Sequence, residues 1–577
     1  MQQKKVIFHA GITAIGLTYI LNLSIVSIFP LGLLGICMYL YAHENVEEKS
    51  SVYVKGTALL LSLFLAGGKI DFILEKSRIH GGIQFIFILL GSYYFLIWAI
   101  KGTFYLYDLA NTRTYDAADK ISPNKIFAIS FILIVLVDII FWLVEYPGVL
   151  TYDSIVQLEQ ISGDWPLNDW HPIAHTMWVK LWYQIAYALG AGNNTEAYGF
   201  ISMIQLVLMD ILFSSVIRFL YVRSKRLSVA FGGIAFYSLI FYNGIYSVTL
   251  WKDVMHGFVT VLLLLFLLLY FEKSGEERRI RYLIAIYLCG CGFCLFRNNA
   301  YYAFILWAVF MVVYSIIKRD KKIIAAIALI LVTCMIIKGP VYASVSDSES
   351  HWTASTSIPL QQIAYCITKG DELKDDEIEL LSKIVDIEQI PEVYLDYISN
   401  PIVNLFMQKD DKGYFKEHKV QYLSAYLKIG LRYPLDYLTA WIKQTYGYWY
   451  PGTSYWVYST GVCDNYYGIA PSPRVRQTIV DTVHESVQRY ASIPVYGSFW
   501  CLGTFVWCLI VMTAYTAYKK RWELVITFSL LICIWGTLLV STPVYAEFRY
   551  LYSVAAAFPL IIFMPLCIGK ESKEDHS

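Results

Sequence analysis

Charge is what this sequence has least of. Lys, Arg, Asp and Glu make up 16% of 577 residues against 57% hydrophobic residues, and the mean hydropathy is +0.50. So little charge leaves too much apolar surface for a fold surrounded by water. The formal net charge is only +1 and no basic domain stands out, which argues against nucleic acid as a partner. The strict alternation of a membrane barrel is missing, so the long apolar runs are expected to be helices, which satisfy their own backbone in lipid. The opening stretch "MQQKKVIFHAGITAIGLTYILNLSIVSIFPLGLLGICMYLYAH" begins like a signal peptide but has no A-x-A-like cleavage site, and reads as two closely connected spans. No internal repeat and no low-complexity linker interrupts the chain. Most of the 11 cysteines sit in or near apolar runs, as small hydrophobes do. Cys289, Cys291 and Cys294 share one apolar helix with no second ligand cluster, so a metal reading is not favoured. Only Cys366 and Cys463 lie in a long polar segment, and would be able to pair if that segment is extracytoplasmic.

What is present is hydrophobic length. With about 20 residues needed per crossing, the runs fit about fourteen spans, near 6–23, 25–42, 53–68, 82–100, 126–145, 197–217, 227–247, 254–271, 281–296, 300–317, 322–340, 497–517, 522–541 and 549–569. The expected class is an all-α polytopic membrane protein. "RFLYVRSKR", "EKSGEERRIR", "KRDKK" and "KKR" are expected to be cytoplasmic, which places both termini inside. The loop at 69–81, with Lys69, Lys76 and Arg78, falls outside and mildly opposes that rule. Residues 173–190 look long enough to cross, but counting them would put "RFLYVRSKR" outside. They are therefore expected to be an interfacial amphipathic helix, with Trp178, Lys180, Trp182 and Tyr183 at headgroup level. Four regions follow: a four-helix membrane region at 1–124, a membrane core at 125–340 with an outer loop at 146–196, a mostly helical extracytoplasmic domain at 341–496, and a three-helix region with a short cytoplasmic tail at 497–577.

On this topology the polar outliers gather at the outer face. Asp153 follows the fifth span, "LWKDV" supplies Lys252 and Asp253, "LFRNNA" supplies Arg297, Asn298 and Asn299, and "STPVYAEFRYLYS" supplies Glu547 and Arg549. Ionisable groups near a bilayer are costly and usually functional or paired. Snorkelling would explain Lys252 or Arg549 alone, and Asp253 beside Lys252 could be a solvated pair. Glu547 and Arg549, two apart on a helix, would not face each other. His171 and His175 are spaced like a metal pair, although turn and packing roles are the more ordinary reading. Asp138 and Asp210, inside spans, either bond neighbouring helices or line a polar path. "YGYWYPGTSYWVY", with Trp449 and Tyr450, suits sugar rings or an aromatic belt equally.

These motifs carry a resemblance. "WHPIAHTMWVKLWYQIAYALG", after an Asp that closely follows a span, resembles the H-P-P-L-Y-Y-x-L-L-K-L-W-type loop of the GT-C superfamily of membrane glycosyltransferases, which includes protein O-mannosyltransferases and aminoarabinose transferases. "EFRYLYSVAAAFPLI" is similar to their late R-Y-x-x-x-x-x-P pattern, with Pro559 displaced. Together "YPGVLTYDSIVQ", "DWHPIAH", "LWKDV" and "EFRY" resemble an uncharacterised family of bacterial polytopic proteins grouped with these enzymes. The likeness covers roughly 125–569. It implies a GT-C-like fold with juxtamembrane helices in the first outer loop, a catalytic acid at Asp153 and a phosphate-facing Arg549. Here Ser154 stands where many members have a second acid, and "HPI" replaces H-P-P, so Asp164 or Asp169 remain alternative bases or metal ligands.

A sugar on a polyprenyl phosphate would leave an anion behind, which Arg297, Lys252 and Arg549 would meet near the headgroups. An acceptor hydroxyl needs a carboxylate to take its proton, and Asp153 is the candidate. Asp169, His171, His175, Asp253, Asn298, Glu547, Trp449 and Tyr450 are expected to support the site or bind acceptor. The expectation is an enzyme of the cell membrane with an extracytoplasmic active site and no metal or other cofactor. Its partners would be a lipid-linked sugar donor, membrane lipid, and a cell-surface glycan, lipid or protein acceptor. The rivals are a transporter or flippase of a lipid-linked sugar, kept alive by Asp138, Asp210 and "GCGF", and a non-enzymatic membrane scaffold.

Overall fold

The computed structural model describes residues 2–23, 28–42, 51–74, 78–112, 121–272, 276–346, 353, 355–409 and 413–567. Residues 273–275 of the predicted inner loop "EKSGEERRIR", Lys76 of the loop at 69–81, and the predicted tail from 568 onward lie outside the described residues. Among the described residues the secondary structure is helical, with isolated bridges in place of strands.

Apolar sequence becomes helix in each predicted interval, because a backbone among apolar side chains has only itself to bond to. Helices α1 (Gln2–Ile20), α2 (Phe29–Ala42), α3 (Val52–Gly67) and the short α4 (Ile70–Leu74) gather around α5 (Arg78–Thr112). Gly16 and Gly91 let α1 and α5 touch backbone to backbone: a Cβ on either would lie 2.8 Å from the other's Cα. At 35 residues α5 runs well past the predicted 82–100. Ser122 caps α6 (Pro123–Glu145), with Pro123 in its first turn. Two shorter helices follow, α7 (Tyr152–Ser162) and α8 (Ile173–Ala188), then α9 (Asn194–Ser224), α10 (Leu227–Leu239), α11 (Tyr242–Ser247), α12 (Lys252–Glu272), α13 (Glu276–Leu295), α14 (Asn298–Ile317) and α15 (Lys321–Ile336). The last ends in a π turn, Ile337–Val341, and the short α16 (Tyr342–Val345). Among the described residues seven helices are long and apolar enough to cross a membrane, or up to nine if each of two bent pairs is one span. The predicted span at 227–247 is instead broken between α10 and α11, and that at 497–517 bends by 87° after Trp500.

Between residues 357 and 497 the described helices are α17 (Ser357–Lys369), α18 (Asp375–Leu381), α19 (Ile390–Val393), α20 (Asn400–Lys409), α21 (Tyr414–Glu417), α22 (Lys419–Arg432), α23 (Pro434–Thr445), α24 (Gln477–Ala491) and α25 (Pro494–Gly497). The first of these have their own core around Phe406, Ile402, Val385 and Ile429. Cys366 is buried in that core, while Cys463 packs against the α7–α9 cluster. The two thiols are free, each held in a separate core, so the pairing considered above does not occur. The chain closes with α26 (Leu502–Tyr518), α27 (Trp522–Val540), a 3-10 turn at Phe548–Leu551, α28 (Tyr552–Ala556) and α29 (Phe558–Phe563).

Residues of α17 and α23, with Tyr397 and Ser399 before α20, grip the segment that leads to Arg549. Ser357 and Gln444 both donate to Thr542 O, Ser399 N donates to Pro543 O, and Tyr545 N donates to Tyr397 O. Trp449, expected among the acceptor-binding residues, is 2% exposed and packs on Phe64, Trp441 and the face of α3 at Gly67. Trp507 Nε1 bonds its carbonyl. Tyr450 lies against Gly68 and Gly503. Both aromatics therefore pack this stretch against helix ends of the bundle, a third role beside the sugar and belt readings of the sequence.

Candidate functional site

Asp153 is placed by the strand-like stretch before it. Val149 N bonds Val248 O at 3.0 Å, Leu150 N bonds Gly461 O at 3.1 Å, and Cys463 N bonds Leu150 O at 3.1 Å. Residues 149–150 are thus held between the loop before α12 and the connection from α23 to α24. Gly148, at φ +129°, is needed there, since a Cβ would come within 2.9 Å of Ser202 and of Val248 O. The Gln205 amide ties down the carbonyls of Tyr246, Ser247 and Thr249, and Trp251 Nε1 donates to Thr151 Oγ1 at 2.6 Å. The loops bearing Asp153 and Lys252 are therefore fixed to each other before any ligand arrives.

On this frame the four loops bearing Asp153, Lys252, Arg297 and Arg549 converge. Arg549 Nη1 is 2.6 Å from Asp153 Oδ2, and Lys252 Nζ lies 3.5 Å from the same oxygen. The Asp153 side chain keeps 26% of its surface exposed, so a reactant can reach it. The Arg549 guanidinium stacks 4.9 Å over the Trp251 ring. Arg297 Nη1 is 2.7 Å from Asp253 Oδ1 and bonds Tyr550 O at 2.7 Å. Lys252 and Asp253 do not form the solvated pair considered above. Neighbours on a helix point about 100° apart; Lys252 turns to His171 and Asp153, and Asp253 turns to Arg297. Glu547 and Arg549 do pair, at 2.8 Å, contrary to the helix-spacing argument. Glu547 precedes the 3-10 turn with φ −64° and ψ 107°, so helical geometry does not govern it.

Asn298 and Asp169 join at the edge: Asn298 Nδ2 donates to Asp169 O at 2.7 Å. Lys338, which the sequence reading passed over, donates to Asn298 Oδ1 at 2.6 Å and lies 3.8 Å from Asp169 Oδ2. Its signal was a lone lysine at the end of an apolar run, "MIIKGPV"; it sits in the π turn, a local geometry frequent at functional sites. Four cations, Lys252, Arg297, Lys338 and Arg549, thus face four acids, Asp153, Asp169, Asp253 and Glu547. Asp164 stays apart in an exposed turn, bonded to Ser162 and Tyr467. Asp138 of α6 and Asp210 of α9 are fully buried neighbours.

His171 and His175 turn to different partners. Lys252 Nζ donates to His171 Nδ1 at 2.8 Å, and His175 Nδ1 meets the Gln157 amide of α7 at 3.0 Å. His175 thereby links α8 to α7 instead of aiming at an ion beside His171. Among the described residues no group of three or more His, Cys, Asp or Glu side chains could hold a metal ion.

Burial would raise the Asp153 carboxyl, but Lys252 and Arg549 hold it well below the usual carboxylate range. Burial, with Lys252 next, brings His171 down to about 3 and His175 down to about 3. Burial pushes Glu547 and Asp169 upward against Arg549 and Lys338 respectively.

The histidines set a sign for acid stability. Between about pH 6.5, where an unfolded histidine titrates, and about 3, the unfolded chain takes up protons that the fold refuses. Stability is expected to fall by ~1.4 kcal/mol per pH unit for each histidine as pH drops through that window. Melting temperature in detergent should be flat above pH 7 and decline below about 6.5, with a shallower slope in His175→Gln. Identical melting at pH 7 and pH 5 would refute the neutral assignment.

Helices able to span a membrane, with an ion-pair cluster gathered at one end of them, define a polytopic membrane protein with a polar site at the rim of its bundle. The chain belongs to a family of unknown function, DUF6020, whose profile matches residues 162–577. That stretch holds every cation of the cluster and begins downstream of Asp153. Among curated proteins and among solved structures nothing matches the chain.

Proposed function

We propose that this chain is a GT-C-like glycosyltransferase of about fourteen spans that moves a sugar from a polyprenyl-phosphate donor to a cell-surface glycan, lipid or protein on the extracytoplasmic side. One observation carries the reading: a reachable carboxylate, Asp153, held between Arg549 and Lys252 at a helix-bundle rim. The exposed Met177, Leu181 and Tyr187 of α8 fit a helix lying at the interface, as the topology requires.

In the proposed reaction the acceptor oxygen bonds to the anomeric carbon while the bond from that carbon to the phosphate oxygen breaks. The electron pair leaves with polyprenyl phosphate, and the hydroxyl proton passes to Asp153. The resting cluster is balanced, four cations to four acids, so an arriving phosphate must compete for cations already in use. Taking Arg549 for itself, the phosphate loosens that cation's hold on Asp153 and makes the carboxylate a stronger base only when donor is bound. Base strength is thereby linked to donor occupancy.

The test is purified full-length protein in lipid nanodiscs with a radiolabelled polyprenyl-phosphate sugar and a panel of acceptors. Release of polyprenyl phosphate together with acceptor labelling is the expected result. Label crossing a liposome membrane without bond cleavage would favour the transporter instead.

A further inference from the structure

The opposite end of the same helices carries a second cationic centre. α12 runs from Lys252 to Glu272, α14 from Asn298 to Ile317, and α15 from Lys321 toward Lys338. About 20 helical residues, or ~30 Å, therefore separate the Asp153 cluster from the far turns. There a cavity of about 580 Å³ opens between the ends of α12, α14 and α27, floored by Leu268, Phe271, Tyr314 and Leu524. Its rim bears Lys318, Arg319, Lys321, Lys322 and Arg521 against Glu272, Asp320 and Glu523.

The three acids are already engaged. Glu272 pairs with Arg223, Glu523 with Arg521, and Asp320 accepts from Tyr270 at 2.8 Å while capping Ile323 N. Among the described residues no acid pairs with Lys318, Arg319 or Lys321 within salt-bridge distance, and all three are exposed. The cavity thus presents net positive charge over an apolar floor.

The backbone supplies a second, independent observation. Arg319 has φ +57°, a left-handed conformation that costs a non-glycine residue ~1 kcal/mol and is usually filled by Gly or Asn. Lys225 after α9 and Lys520 after α26 do the same, at φ +55° and +58°. Contacts of Arg223 and Arg521 with this cavity and its rim place those turns at the same end. Three turns near this end thus place a cation in the left-handed region, Arg319 of them lining the cavity itself.

We infer that this cavity binds a phosphate-bearing anion, presented as the headgroup of an anionic phospholipid with its glycerol and first acyl carbons on the Leu268–Phe271–Leu524 floor. The cations meet the phosphodiester by charge-assisted hydrogen bonds. On the topology proposed above this is the cytoplasmic leaflet, where anionic lipid and basic pockets between helices meet. The inference needs the polytopic fold but not the transferase reading, since the site lies at the other membrane face.

Thermal unfolding of the full chain in detergent tests it, with phosphatidylglycerol, phosphatidylcholine, or inorganic phosphate added. Phosphatidylglycerol should raise the melting temperature at concentrations where phosphatidylcholine does not, and the triple variant Lys318→Gln, Arg319→Gln, Lys321→Gln should need at least ten-fold more of it. Lys318→Arg with Lys321→Arg, which keeps the charge, should respond like the wild type and guards against a mere folding defect. Equal responses to both lipids, or a wild-type response in the triple variant, would overturn the inference. A response to inorganic phosphate that the triple variant loses supports the anion site but overturns the lipid as its occupant. Sugar-transfer activity is not the readout, so failure of either reading leaves the other standing.

Discussion

Asp153→Asn is expected to abolish sugar transfer, lowering it by about three orders of magnitude, in the range found when a positioned general base is removed. The substitution keeps the shape of the side chain and the carbonyl oxygen that Arg549 and Lys252 approach. Arg549 also retains Glu547 at 2.8 Å. The fold should therefore lose only ~1–2 kcal/mol, the weakening of a charged hydrogen bond to a neutral one. Donor binding should stay within a few-fold of wild type or tighten, because one carboxylate no longer competes with the phosphate for cations. Asp164→Asn is the matched control: its carboxylate sits in an exposed turn with Ser162 and Tyr467 and should have no effect on the rate. Single-turnover transfer from labelled donor measures all three. Normal turnover in Asp153→Asn, or loss in Asp164→Asn, would remove Asp153 from the base role.

The convergence of four distant loops was legible from the sequence because two simple rules compound. Apolar length locates the helices, and the charge of their connecting loops assigns each end to a side, so Asp153, Lys252, Arg297 and Arg549 fall at one depth before any contact is known. The same logic kept residues 173–190 from being counted as a crossing, and they form the separate helix α8 packed beside α7 and α9. Who pairs with whom was not legible. Sequence neighbours look like partners, yet Asp253 reaches Arg297 across two helices while Lys252 beside it turns to His171. Glu547 and Arg549 were judged by helix spacing, which fails where the chain enters a 3-10 turn from an extended residue.

Other features stayed hidden because no local pattern encodes them. Lys338 is a lone lysine at the end of an apolar run until the π turn brings it over Asn298. Gln205 is one amide among many until three carbonyls of the loop before α12 close on it. The aromatic run at 446–458 suits a ligand or a membrane belt equally, but Trp449 serves packing between α3 and α23, where its burial leaves no ring face for a sugar. Composition can mark such a segment as interfacial; only tertiary contact decides which side of each ring is used.

The second large effect is expected at Arg549. Among the described residues its guanidinium is the one group that touches two acids of the cluster, Asp153 and Glu547, while stacking on Trp251. Arg549→Gln leaves both carboxylates with a neutral neighbour, and breaking a buried pair of this kind costs ~3–5 kcal/mol. Burial of Glu547, already unfavourable to its charged form, means that this residue is the one to take up a proton in the variant. Asp153 loses a cation that holds it low, so its carboxyl rises. The signs follow from linkage: a depressed carboxyl contributes stability above its unfolded titration range and loses it as pH falls through the folded value. In wild type that loss, and the matching acid limb of transfer, should lie below about pH 4. In Arg549→Gln both should move to higher pH, while KM for the polyprenyl-phosphate donor rises by one to two orders of magnitude, about 1.4 kcal/mol for each tenfold change. Arg549→Lys restores charge without the fork that reaches two carboxylates at once, so it should recover the pH profile better than the donor KM. A pH–rate profile and donor titration across the three proteins separate these outcomes. An unmoved acid limb together with an unchanged donor KM in Arg549→Gln would return Arg549 to a snorkelling cation and detach the phosphate from this cluster.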